Sequence, residues 1–197
     1  MSISDQLQHA FTLFDAANKE DPNTEVFQGK TYPKELLYAQ RMTEQLNTFA
    51  PNASEVLQLT ARCQHIRRWE ITRDSFEMNR EGYLRWRQEL KKFHVKKAAS
   101  ILEQVGYPEE VIKKVGFLLE KKQLKKNKET QTLEDVICLV FLEYYFEPFA
   151  AKHPEEKTID ILQKTWRKMS DKGHAAALKL PLSEVSLQLV SRAIGPR

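Results

Sequence analysis

The chain is short of glycine, with six in 197 residues, and shorter still of cysteine, with two. Cys63 and Cys138 sit inside apolar segments and form no spaced framework. That excludes a disulfide scaffold and predicts reduced thiols in a cytoplasmic protein. No apolar stretch reaches the roughly 18 residues of a membrane span. The opening MSISDQLQHAFTLFDAAN has no basic segment leading into an apolar one, so it does not read as a secretory signal. Glycine-rich phosphate loops, GxSxG, HExxH and paired CxxC are all missing. The well-marked nucleotide, hydrolase and structural-zinc motifs are thereby excluded. The excess of cations is small, a net +4, and favours anionic partners only mildly.

What is present is helix-forming. Leu, Glu, Lys, Gln and Ala dominate, and apolar residues recur at helical spacing through most of the chain. The spacing predicts helices over about 4–18, 34–49, 54–70, 80–105 and 108–123. A central buried helix follows in TLEDVICLVFLEYYF, then an amphipathic helix through Ile159, Leu162, Trp166 and Met169 that ends near Gly173. A last helix is capped by Ser183. Pro22, Asn23, Gly29 and Pro33 mark residues 19–33 as a loop. The expectation is an all-α fold, a single globular helical domain of about seven to nine helices.

Three residues stand out as candidates for chemistry. His65 follows Leu57 and Ala61 at turn spacing, and His94 lies between Leu90 and Ala98 at i−4 and i+4. Asp135 opens the most hydrophobic helix, where Thr132 is a candidate N-cap. Two imidazole nitrogens and a carboxylate oxygen suffice to hold a divalent transition metal (Zn, Mn, Fe or Ni) with coordination positions left open. Taken singly, each residue also has an ordinary structural reading, as a core-edge histidine or a first-turn carboxylate. Arg67, Arg68 and Lys92 are candidates for holding a phosphate, and Glu70 for a general base. The lysine run from Lys121 to Lys128, and the interleaved Tyr83, Arg85, Trp86 and Arg87, leave a second class open. That class is a non-enzymatic helical module binding RNA or a protein partner.

The segments SEVLQLTARCQHIRRW, FHVKKAASILEQVGYPEEVIKKVGFLLEKK and LEDVICLVFLE resemble, in order, helices of the HD-domain superfamily of metal-dependent phosphohydrolases. LLYAQRMTEQL looks like that family's first-histidine helix. The resemblance covers about residues 34–146, with 154–197 as a C-terminal helical extension. It implies an HD-like bundle in which His65, His94 and Asp135 ligate metal and the substrate is a phosphorylated, nucleotide-like small molecule. Ile66 stands where the family's His-Asp doublet has its aspartate, and Tyr38 stands near the position of its first histidine. The stretches QHIRRW, GYLRWR and LEDVICLVFLE also resemble an uncharacterised family known only as a domain of unknown function.

Overall fold

Residues 3–195 are described by a computed structural model. They form ten α-helices and one two-stranded hairpin, so the fold is all-α. The chain divides into two compact units, residues 1–47 with 52–122 and residues 48–51 with 123–197. This division cuts through the expected 34–146 core. No helix among the described residues is long and apolar enough to cross a membrane.

The first unit is built from α1 (Ile3–Lys19), β1 (Thr24–Phe27), β2 (Lys30–Pro33), α2 (Lys34–Phe49), α3 (Glu55–Cys63), α4 (Arg80–Val105) and α5 (Glu109–Leu119). The last two residues of α2 belong to the second unit. Helices α1, α3, α4 and α5 pack around one core of Ala10, Phe14, Leu59, Cys63, Ile66, Ala98, Leu102, Val115 and Leu119. The expected loop over 19–33 contains the β1–β2 hairpin, paired antiparallel with Phe27 opposite Lys30. Its two-residue turn needs positive φ at both positions, and Gln28 (49°) and Gly29 (75°) supply it. The expected helix over 54–70 is shorter. Its α-helical part ends at Cys63, and Arg67 adopts a left-handed conformation at φ 50° before a 3-10 turn at Arg68–Glu70. Helix α4 runs as expected between Asn79, whose side chain accepts from Gly82 N at 2.8 Å, and Gly106 at φ 88°.

The cap makes a simple test. Replacing Asn79 by Ala leaves Gly82 N–H without that acceptor and is expected to lower the first unit's stability by about 1 kcal/mol. Urea unfolding followed through Trp86 fluorescence would measure it.

The second unit comprises α6 (Lys128–Val140), α7 (Phe146–Ala150), α8 (Glu155–Lys168), α9 (Asp171–Ala177) and α10 (Glu184–Ile194). Asn127, not Thr132, caps α6 by accepting from Thr130 N at 2.9 Å. Thr132 instead bonds back to Lys128 O within the helix. The central apolar helix is continuous only to Val140, and Phe141–Tyr145 widen into a π-turn before α7. Pro148 accounts for this, because it has no N–H and its ring would meet the carbonyl of Tyr144 four residues back. Gly173 does not end a helix but lies inside α9, which Ser170 caps. These two breaks account for the short helices α7 and α9, which bring the number above the expected seven to nine.

Candidate functional site

His94 occupies the second position of the stripe Leu90, His94, Ala98, Leu102 on α4. All four side chains are buried, with His94 only 5% exposed. A helix that packs through every fourth residue drives its histidine inward with its neighbours. Burial then disfavours the charged form, and His65, Arg68 and Arg87 add to the effect. The His94 pKa is held well below the usual histidine range. Its Nε2 atom is buried and has no hydrogen-bond partner.

His65 lies not on a helix but in the turn after α3. The chain reverses there through left-handed Arg67, whose backbone N–H donates to Asn18 Oδ1 at 2.9 Å. Its neighbour Ile66 is fully buried in the helical core. The position at which the HD resemblance expects an aspartate is therefore held by a packing residue. The His65 ring stacks on Tyr38 at 4.0 Å with 11° between planes, and its centroid is 5.9 Å from that of His94. Nδ1 of His65 lies 3.2 Å from Oε2 of Glu35. The side chain is 24% accessible, yet burial is the largest cause depressing its pKa, ahead of Arg68, Arg87, Lys121 and Lys34. The ring is thus crowded by protein over most of its surface and reachable by water over the rest.

Glu35 is the functional candidate that the sequence reading missed. It sits in the first turn of α2, where its backbone N–H donates to Asp21 Oδ2 at 2.9 Å. Asn18, fully buried, joins the Glu35 carbonyl to the Arg67 turn. Burial pushes the Glu35 carboxyl up to about 7, against the pull of Arg68 and Lys34. Arg68 places Nε 4.0 Å from Glu35 Oε1 and its guanidinium 4.8 Å from the centre of the Trp86 ring. Trp86 is itself pinned by an indole hydrogen bond to Ile71 O at 3.0 Å.

Arg68 thus joins the two histidines, whereas the other expected residues have different engagements. Arg67 is tied to Glu20 and Glu70. Glu70 also meets Lys97 at 3.1 Å. Burial raises the Glu70 pKa, but hydrogen bonds from Arg67 and Lys97 outweigh it and leave the carboxyl below its ordinary value. Each of its oxygens is thus taken up by a cation. Lys92 is exposed and paired with Glu89 at 2.8 Å. Asp135 belongs to the second unit and is 2% exposed. There Oδ1 accepts from Ser170 N at 2.8 Å and Gln131 Nε2 at 3.1 Å, and Oδ2 from Ser170 Oγ at 2.5 Å.

His65 and His94 are therefore the residues that could offer nitrogen to a metal. The Glu35–His65 contact is of the kind that orients a ligating imidazole. Two features oppose the fit. Arg68, Arg87, Lys34 and Lys121 all act on His65, surrounding it with positive charge. Among the described residues, no group of three or more His, Cys, Asp or Glu could hold a metal ion. The arrangement suits an anion better than a cation.

An all-α chain with a histidine pair beside several cations is the class that these observations define. The chain belongs to the family described as domain of unknown function DUF4202, which matches residues 8–190. Comparison with curated proteins and with solved structures gave no match.

Proposed function

We propose that the first unit binds phosphorylated small molecules at the His65–His94 recess and is a divergent, HD-like phosphohydrolase. One observation carries this reading: a histidine oriented by a buried carboxylate is flanked by an arginine that the same carboxylate holds. A guanidinium fork matches phosphate oxygens. A neutral imidazole whose Nδ1–H is taken by Glu35 keeps a lone pair on Nε2. In the hydrolytic step, Nε2 accepts a proton as water oxygen attacks phosphorus. The phosphorus–oxygen ester bond breaks, and the imidazolium returns the proton to the departing alkoxide, yielding phosphate and alcohol.

The alternative of a basic surface for RNA has less support. Lys92, Lys97, Lys113 and Lys114 pair with Glu89, Glu70, Glu109 and Glu110. In the lysine run, Lys122 pairs with Glu120 and Lys125 donates to Met169 O, so part of its charge is engaged as well.

Replacing Arg68 by Gln tests the proposal. It is expected to weaken binding of phenyl phosphate by at least about tenfold, the scale of one charge-assisted hydrogen bond. Calorimetric titration of protein purified without a histidine tag would measure this, with elemental analysis of the same sample. Near-stoichiometric metal that is lost on changing His65 or His94 would instead favour the metal-dependent form. Unchanged phosphate affinity in the Arg68 variant would remove the proposal's basis.

A further inference from the structure

Two atoms at the recess lack the partners that their surroundings would normally require. His94 Nε2 is buried with no hydrogen-bond partner, although buried polar groups are seldom left so. Arg87, half-buried on α4, has no hydrogen bond or ion pair with any described residue, yet it acts on both histidines. These are independent features, one a buried imidazole and the other an uncompensated guanidinium, and both concern the same pair of rings.

The charge balance is lopsided. Arg68, Arg87, Lys34 and Lys121 act on His65, and Glu35 is the carboxylate in contact with it. Arg68 and Glu35 face one another, while Arg87 makes no ion pair with a described residue and Lys34 adds a further positive charge. Burial also favours the uncharged form of Glu35, which widens the excess. A doubly charged ligand relieves this field far better than a singly charged one.

The shape restricts the ligand as well. His65 is 24% accessible and His94 is 5% exposed, so access narrows from one ring to the next. Tyr38, stacked flat on His65, covers one face of that ring. With one face of His65 covered and His94 almost wholly enclosed, a phosphorus bearing one organic substituent fits more readily than one bearing two.

We infer that the recess takes the terminal phosphate of a phosphomonoester as its dianion, bound directly by Arg68 and Arg87 with His94 Nε2 as the innermost contact. This deepens the proposed function and rests on it. It assigns to fixed protein cations the charge neutralisation that a bridging metal would otherwise provide. Arg87 and His94 become the residues that separate monoesters from diesters.

The test uses the full chain at pH 7.5, where a phosphomonoester is mainly dianionic. Phenyl phosphate and diphenyl phosphate are titrated calorimetrically into EDTA-treated protein and into Arg87→Gln. That variant breaks no ion pair, so its fold is expected to be intact. The expected result is binding of phenyl phosphate at least about tenfold tighter than of diphenyl phosphate, with loss of about tenfold or more in Arg87→Gln. The His94 Nε2 nitrogen resonance is expected to shift on saturation with phenyl phosphate. Equal affinity for the two esters, an unaltered Arg87→Gln variant, or binding that EDTA abolishes and added divalent metal restores would each overturn the inference while leaving phosphate recognition in place. Failure to bind either ester would overturn the proposed function itself.

Discussion

Replacing Asp135 by Ala is expected to destabilise the second unit by about 3 kcal/mol, the sum of several lost buried hydrogen bonds and an orphaned donor. The carboxylate is 2% exposed and accepts from Ser170 N, Ser170 Oγ and Gln131 Nε2. Ser170 is the N-cap of α9, so Asp135 on α6 fixes the residue that starts that helix. The fit is close on the other side too. A Cβ added at Gly173 would lie 2.6 Å from Asp135 Oδ1, which is why that helical position carries no side chain. Gly173→Ala is therefore expected to destabilise the native protein but to cost much less in the Asp135→Ala background. The coupling in this double-mutant cycle measures their contact. Trp166 reports locally, because its indole stacks at 4.2 Å on His174 of α9. Urea unfolding followed through Trp166 should shift to lower midpoint in both single variants. A folded, equally stable Asp135→Ala protein that has lost a bound metal would reverse this account and return Asp135 to the ligand set.

The legible parts of the fold were those written in local periodicity. The α4 stripe through Leu90, His94, Ala98 and Leu102 was readable, as were its stop at Gly106 and the start of α5 after Pro108. These features depend on side chains three or four residues apart and on backbone conformations that Gly and Pro announce. His65 was identifiable as a candidate, but its position in a turn was not. An arginine in the left-handed region gives no sequence signal of the kind that Gly or Asn would give. Arg67 is held there by Asn18, 49 residues earlier. The hairpin was missed for a related reason, since Gln28 takes a position that more often carries Asn or Asp.

Glu35 shows why part of the site lay beyond the sequence. In PKELLY it reads as an ordinary first-turn carboxylate, favourable to the helix dipole and exposed. Its burial arises because Asp21 and Asn18 draw the start of α2 down to the Arg67 turn. Asp135 presents the opposite case. Read as a first-turn carboxylate or as a metal ligand, it lies instead well inside α6, and Ser170, 35 residues later, claims its oxygens. Buried carboxylates look alike in sequence, and only tertiary partners separate a proton-handling group from a structural anchor.

Glu35 also makes the stability of the first unit depend on pH. Its pKa is raised from 4.5 to about 7 by burial, so the folded state holds the proton more tightly than the unfolded chain does. The resulting stabilisation is fully present below about pH 4.5 and is lost as pH rises through about 7, a change on the order of 3 kcal/mol. The histidines act in the opposite sense. His65 and His94 are held well below their ordinary values, so their contribution is present above pH 6.5 and is lost as pH falls through their depressed values. The wild-type unit should accordingly be most stable in mildly acidic solution, with one limb on each side. Replacing Glu35 by Gln keeps an oxygen to accept from His65 Nδ1 and removes the titrating proton. The alkaline limb should disappear while the acidic limb, owed to the histidines, remains. Urea midpoints between pH 5 and 8.5, followed through the fluorescence of Trp69 and Trp86 in this unit, would separate the two curves. If wild type and Glu35→Gln run parallel across that range, the carboxylate is not the buried partner of His65 in solution, and the orientation on which a catalytic His65 depends is lost with it.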